Sequence, residues 1–74
     1  MKIERVYKKA IYPDKLIQRA VKDYASVGTI EVRPIQEGFR CVFSSLIVET
    51  ERLANEFDNY MIELINSGEH DADL

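Results

Sequence analysis

The side chains that could carry out chemistry are few. The sequence has one cysteine, Cys41, and one histidine, His70, with 28 residues between them. A structural zinc site needs four ligands of these types, and a lone cysteine cannot form an intrachain disulfide. The sequence also lacks a glycine-rich phosphate loop and a nucleophile elbow. We therefore expect no metal, no cofactor and no enzymatic activity, and we interpret Cys41 as a small buried apolar residue.

The stretch NEFDNYMIEL, residues 55–64, mixes polar and apolar residues and is a second place to look for a site. On a helical wheel Phe57, Tyr60, Met61 and Leu64 point to the protein core. The polar residues of the stretch point outward, so we expect no buried polar network from them. The wheel leaves a candidate partner-binding surface that consists of Glu56, Asn59, Ile62 and Glu63.

The length and composition predict one small folded domain. The chain has 74 residues, of which 46% are hydrophobic and 31% are charged. We assign residues 1–68 to the domain, which has a thin core, and residues 69–74 to a disordered acidic tail. No apolar segment follows the basic N-terminus, so we expect neither a signal peptide nor a membrane span, and we expect a cytoplasmic location.

The charge is distributed unevenly along the chain. Residues 1–22 carry a net charge of +5, whereas the remainder carries −8. The two regions are either ordinary solvated surfaces that complement each other or a means of steering partners or further copies of the chain. The basic residues also suggest an alternative function in nucleic-acid binding, through Lys8, Lys9, Lys15, Arg19 and Lys22. A sequence pI near 5.0 and the absence of an aromatic RNP-like or GXXG pattern make nucleic acid the weaker alternative.

Apolar periodicity predicts two helices. The run that starts at Pro13 has one apolar face and a basic opposite face, and we expect it to end at Gly28. The stronger pattern predicts a second helix of about 17 residues, with Thr50 as its N-cap and Gly68 as its terminator.

Three segments are predicted to form strands. Residues 3–12 are rich in strand-forming side chains, and no helix start precedes them. Two further strands flank a turn near Gly38. A tight turn at either Gln36–Glu37 or Glu37–Gly38 puts all the alternating apolar residues on one face, namely Ile30, Val32, Phe39, Cys41 and Phe43.

The predicted order is strand, helix, strand, strand, helix. We expect an α+β fold of two layers, with a small, mostly antiparallel three-stranded sheet and both helices on one face. Pro34 has no N–H to donate, so we place it near the turn or on an unpaired edge. The second candidate for partner binding is therefore the edge that offers Arg33, Pro34 and Ile35.

Two segments carry residue patterns that are found together in a known family. Residues 11–33 contain Ile11, Tyr12, Ile17, Ala20 and the predicted strand from Ile30 to Val32, and residues 56–64 contain Glu56, Phe57 and Asn59. These segments resemble the small HxsD proteins of the bacterial His-Xaa-Ser system, whose Glu-Phe-x-Asn-Glu helix has an acid where this chain has Tyr60. The resemblance implies an accessory protein that handles a peptide modified by radical S-adenosylmethionine proteins, and it implies no catalytic residues.

These observations favour a non-enzymatic module that binds a protein or peptide. The partner would pair with an exposed strand edge or dock on the outer helix faces. We also expect a homodimer, because the core is thin and the two ends of the chain are oppositely charged.

Overall fold

The computed structural model describes residues 1–67 and has the predicted order of elements. The strands are β1 (Ile3–Lys8), β2 (Thr29–Ile35) and β3 (Gly38–Ser44), and the helices are α1 (Asp14–Asp23) and α2 (Thr50–Ser67). The α+β fold is thus confirmed. The predicted helix end at Gly68 and the predicted tail, residues 69–74, lie outside the described residues.

The three strands form one antiparallel sheet in the order β1-β3-β2. The chain turns from β2 into β3 through Gln36 and Glu37, which is one of the two turns that the sequence allowed. This turn puts Ile30 opposite Phe43 and Val32 opposite Cys41. The predicted apolar residues of the hairpin therefore share one face of the sheet.

One apolar cluster holds the fold together. It contains Tyr7, Cys41 and Phe43 from one face of the sheet, and it is completed by residues of both helices, namely Leu16, Ile17, Ala20, Leu53, Ala54, Phe57, Met61 and Leu64. Cys41 is fully buried in this cluster, as predicted. The alternate strand residues point the other way, where Val6 is exposed and ion pairs join Glu4 to Arg40 and Glu31 to Arg33. Neither helix of the described residues covers this second face of the sheet.

Strand β1 is shorter than predicted. It ends at Lys8, and the carbonyl oxygen of Lys8 accepts hydrogen bonds from the N–H groups of Ile11 (3.0 Å) and Tyr12 (2.9 Å). The resulting turn brings the Tyr12 ring edge-on to Tyr7, with centroids 5.3 Å apart. The prediction that residues 9–12 continue the strand was wrong, because the preference of these side chains for strands is weaker than this turn and ring contact.

Helix α1 is also shorter than predicted. Pro13 precedes it in an extended conformation, and the helix ends at Asp23 rather than close to Gly28. The next residue, Tyr24, packs its ring against Phe57, and the N–H of Val27 closes a turn onto the Tyr24 carbonyl oxygen at 3.0 Å. This turn directs the chain into β2. Helix α2 begins at Thr50, where we expected its cap, and has 18 residues.

Gly38 is required by a close approach between backbones. A Cβ atom at this position would lie 2.0 Å from the carbonyl oxygen of Tyr7 and 2.9 Å from the Cα atom of Lys8. Backbone atoms in a paired strand cannot move aside as the end of a flexible side chain can, so β1 would have to separate from β3.

We therefore predict that Gly38→Ala lowers the free energy of unfolding by more than about 1 kcal/mol. Glu37→Ala, at the neighbouring exposed turn position, is the matched control and should change it by less than about 0.5 kcal/mol. Urea denaturation followed by circular dichroism measures both. Equal midpoints for the two variants would show that the strands tolerate a side chain at this position.

Candidate interaction surfaces

An apolar groove runs between α1 and β2. Ile17 and Val21 of the helix form one wall, and Val32, Pro34 and Phe39 of the sheet form the other. The groove has a volume of about 380 Å³ and is bordered by Asp14, Gln18 and Lys22. Asp14 and Lys22 are eight residues apart, so the groove is roughly 12 Å long. That length matches about four residues of an extended chain.

The outer edge of β2 lies beside this groove. A two-residue turn joins Ile35 to Gly38, so these two residues exchange backbone hydrogen bonds. In an antiparallel pair every second facing pair is hydrogen-bonded, so the next such pairs are Arg33 with Arg40 and Glu31 with Val42. The backbone groups of Ile30, Val32 and Pro34 therefore point away from β3. Within the described residues β2 pairs with β3 alone, so this edge offers the N–H and C=O groups of Ile30 and Val32, whereas Pro34 offers only a C=O group.

The structure separates the three edge residues that we singled out from the sequence. Pro34 lines the groove. Arg33 and Ile35 lie on the opposite face of the sheet, where the Arg33 guanidinium contacts Glu31 at 3.1 Å. Side chains alternate along a strand, so neighbours in the sequence cannot all face one ligand. The three residues share the β2 edge but not a side-chain surface.

A polar network links the other edge of the sheet to α2. The guanidinium of Arg5 and the hydroxyl of Tyr7 both donate to the carboxylate of Asp58, and Arg5 also donates to Asn55 Oδ1 at 2.9 Å. Asn55 is exposed, as predicted, whereas Asp58 is half-buried and was not recognised as a partner of Arg5 and Tyr7. The signal was Arg5 itself, because its position between Ile3 and Tyr7 on the inward face requires a polar partner.

Burial and the Asp58 charge control the titration of the neighbouring groups. Burial, the hydrogen bond to Asp58 and the Asp58 charge all raise the pKa of Tyr7. Burial raises the pKa of the Cys41 thiol to about 11, and the Asp58 charge adds to this effect. A neutral thiol in an apolar core is neither a nucleophile nor a metal ligand at neutral pH. Cys41 is thus a core residue.

The candidate surface on α2 is exposed but divided between two sides of the helix. Glu56 lies on the side of α1, since its carbonyl oxygen accepts a hydrogen bond from the Tyr24 hydroxyl at 3.3 Å. Glu63 comes two helical turns after Glu56 and therefore lies on the same side of α2. Burial raises the pKa of Tyr24 beside them, and the charges of Glu56 and Glu63 raise it further. Ile62 is one helical turn beyond Asp58 and therefore lies on the β1 side, where it is 46% exposed. Asn59 points outward between the two sides.

The basic residues do not form one surface. Lys15, Arg19 and Lys22 lie side by side on α1, where Asp23 comes within 3.9 Å of Arg19. Lys9 lies in the turn after β1. Lys8 alternates with Tyr7 and therefore faces the open side of the sheet, away from α1. The predicted nucleic-acid face is thus reduced to the three residues on α1.

An exposed apolar loop was not recognised as a candidate from the sequence. Leu46 and Ile47 lie between β3 and α2 and are 105% and 74% exposed. The hydroxyl oxygen of Ser45 fixes the loop, because it accepts hydrogen bonds from the N–H groups of Ile47 (3.1 Å) and Val48 (3.2 Å) and donates to the carbonyl oxygen of Val27 (2.8 Å). The pair of aliphatic residues in the sequence was the available signal, but sequence alone does not show that a link is exposed.

Residues 1–67 contain no group of three or more metal-ligating side chains. Neither helix described here is long and apolar enough to cross a membrane. Comparison with models of known protein families, with curated proteins and with solved structures gave no match.

We predict that Asp58→Ala destabilises the protein by about 1–3 kcal/mol, because it leaves the buried Tyr7 hydroxyl without its acceptor. Asn59→Ala, at the next and fully outward position, is the matched control and should stay within about 0.5 kcal/mol of the wild type. Chemical denaturation at pH 7 compares the two. If Asp58→Ala were as stable as the control, the network would be a surface contact that does not contribute to the free energy of unfolding.

Stability should also fall in alkaline solution. The Cys41 thiol has an ordinary pKa of 9.0 and a pKa of about 11 in the fold, so its deprotonation favours the unfolded chain. Its contribution is fully present below pH 9 and is lost as the pH rises to 11, with a magnitude of about 2 kcal/mol. Denaturation midpoints measured from pH 7 to pH 11 test this, and Cys41→Ala should show a smaller decline between pH 9 and pH 10. If the wild type and Cys41→Ala lost stability equally, the loss would come from deprotonation of the tyrosines rather than of Cys41.

Proposed function

We propose that this protein is a non-enzymatic module that binds an extended segment of a partner protein or peptide along β2. The observation that supports this most is the apolar groove that lies directly beside a strand edge to which no strand of the described residues pairs. A strand edge supplies main-chain hydrogen bonds to any sequence, and a groove next to it adds selection among side chains.

The bound segment would act as a fourth strand. Its backbone would pair with the N–H and C=O groups of Ile30 and Val32, and its alternate side chains would enter the groove against Val21 and Phe39. Pro34 cannot donate a hydrogen bond, so regular pairing ends there. A segment of about four residues, with apolar side chains two positions apart, fits these limits.

Charges at the border of the groove would set the direction of the segment. Asp14 lies at one end of the groove, and Lys22 lies at the other, one helical turn from Arg19. An acidic residue on the partner beside the Lys22 end would be favoured, and one beside Asp14 would be disfavoured. We infer that the preferred ligand is apolar with an acidic residue at one end.

The resemblance to HxsD proteins suggests a setting for such a module. There it would hold a peptide, or a radical S-adenosylmethionine protein, during modification of the peptide, and catalysis would belong to the partner. Affinity capture from the native cell followed by mass spectrometry tests this part of the proposal. Recovery of such a protein or of a short peptide would support it, and recovery of nucleic acid that survives moderate salt would contradict it.

We predict that selection from a library of displayed peptides enriches sequences with apolar residues at alternate positions. Val21→Lys places a charge on the helix wall of the groove and should weaken binding of a selected peptide at least tenfold, which is about 1.4 kcal/mol. Ile47→Lys, in the exposed apolar loop, is the matched control and should bind normally. Fluorescence anisotropy measures both affinities, and urea denaturation verifies that both variants fold.

Two results would contradict the groove as the binding site. If Ile47→Lys abolished binding while Val21→Lys did not, the exposed loop would be the site. If no peptide were enriched and the wild type bound an RNA or DNA oligonucleotide at about 150 mM salt, the alternative function through Lys15, Arg19 and Lys22 would replace the peptide-binding function.

A further inference from the structure

Within residues 1–67 the outer edge of β1 is the second edge of the sheet that pairs with no other strand. Alternate residues of β3 direct their backbone N–H and C=O groups to β2, and the residues between them direct theirs to β1. The residues of β1 that exchange these hydrogen bonds with β3 are Ile3, Arg5 and Tyr7. The N–H and C=O groups of Glu4, Val6 and Lys8 therefore point away from the sheet. In the described part of the chain only the Lys8 carbonyl among these groups has another backbone partner, in the turn that follows.

We propose that a second copy of this chain pairs with this edge in the antiparallel direction. Val6 lies opposite the partner's Val6, and Glu4 lies opposite the partner's Lys8. The two sheets then form one six-stranded sheet about a twofold axis that passes between the two valines. The same surface serves both copies, as a closed dimer requires.

The sequence of β1 selects this pairing over its neighbours. Residues whose backbone groups point outward are two positions apart, so the pairing can shift only in steps of two. The centred arrangement has three facing pairs, of which one is apolar and two join opposite charges. A shift by one step leaves only two facing pairs and sets Val6 against a charged residue, either Glu4 or Lys8. Opposite charges across strands stabilise a sheet, so the centred arrangement is favoured.

The surroundings of Glu4 are compatible with this pairing. Its carboxylate is 3.0 Å from Arg40 on the β3 side, and its other side faces the free edge. The partner's Lys8 would approach from that free side, so the carboxylate would lie between two cations. Val6 is 51% exposed in the single chain, and pairing would cover it.

Helix α2 adds a second layer to the contact. The Phe57 ring lies 5.9 Å from Tyr7 and 5.1 Å from Phe43, so α2 runs above the β1–β3 pair. With a strand spacing of about 4.8 Å, the α2 axes of two paired copies would be about 10 Å apart, which is a normal distance for packed helices. Ile62 lies on the β1 side of α2 and is 46% exposed, and the partner's α2 would cover it.

The β2 edge is less suited to self-pairing. The equivalent twofold arrangement there would centre on Val32 and would set Pro34 against Ile30, so one donor is missing at each end. At β1 one acceptor is likewise engaged at each end, because the Lys8 carbonyl already accepts bonds from Ile11 and Tyr12. The difference is that only the β1 arrangement gains two facing pairs of opposite charge. The two edges are therefore suited to different partners. Pairing through β1 leaves the groove beside β2 open, so this inference does not depend on the proposed function.

Exchange of the two charges tests the pairing. Glu4→Lys and Lys8→Glu should each weaken self-association about tenfold at low ionic strength, because both facing pairs become like-charged. A mixture of the two variants should form a heterodimer with wild-type affinity, because in both pairs a lysine of one variant then faces a glutamate of the other. Sedimentation velocity over a range of concentrations measures this. Glu31→Lys and Arg33→Glu make the corresponding changes near the β2 edge, and these variants should dimerise normally, alone and mixed.

Cysteine cross-linking tests the register directly. Facing residues in a hydrogen-bonded pair have Cα atoms about 5.5 Å apart, within the range of a disulfide, so Val6→Cys should cross-link rapidly under a mild oxidant. Glu4→Cys is the matched control and should cross-link slowly, because the two copies of position 4 would be roughly 13 Å apart. The buried Cys41 should not react. Any of three results would overturn the proposal. The wild type could be a monomer at every concentration, or the two cysteine variants could cross-link equally. The third is that the mixture of Glu4→Lys and Lys8→Glu associates no more tightly than each variant alone.

Discussion

The packing of Phe57 against two strands and the turn after α1 is the contact on which the rest of this structure depends. Its ring meets Tyr7 on β1, Phe43 on β3 and Tyr24 after α1, with centroid distances of 5.9, 5.1 and 5.9 Å. In a chain of 74 residues few side chains can be fully buried, so one aromatic cluster has to hold both helices to the sheet. The position of α2 above β1 and β3 follows from this contact.

That position determines which surfaces remain available. Helix α2 covers β1 and β3, so α1 is left to cover β2, and it does so incompletely. The gap is the groove in which Val32, Pro34 and Phe39 are only partly covered. A larger domain would fill such a gap with another element. Here the incomplete second layer and the candidate binding site have the same physical cause.

The sequence predicted the elements of this fold well and its polar contacts poorly. Alternation of Ile30, Val32, Cys41 and Phe43 sufficed to give the buried face of the hairpin, because a slip by one residue would move the apolar residues of one strand to the solvent face. It left two registers open, and the structure has the one with the Gln36–Glu37 turn. The groove could not be predicted, since it depends on how far α1 lies from β2. Arg5 and Asp58 are 53 residues apart in sequence, and only the packing of α2 beside β1 brings them together. Local patterns thus give the faces of the elements, whereas the sites lie where two elements meet.

The outer edges of β1 and β2 are protected from unwanted strand pairing by different residues. A long exposed edge is a liability, and proline or charge is the usual protection against unwanted pairing. On β2, Pro34 shortens the run that another strand could pair with, so a short segment that also fills the groove is favoured over a second sheet. On β1 no proline interrupts the edge, and Glu4 and Lys8 flank Val6 symmetrically. Such charges disfavour an uncomplementary strand or a misaligned copy, and in the pairing we propose they attract an identical strand in one register. In that proposal the residues that protect β1 also specify its partner.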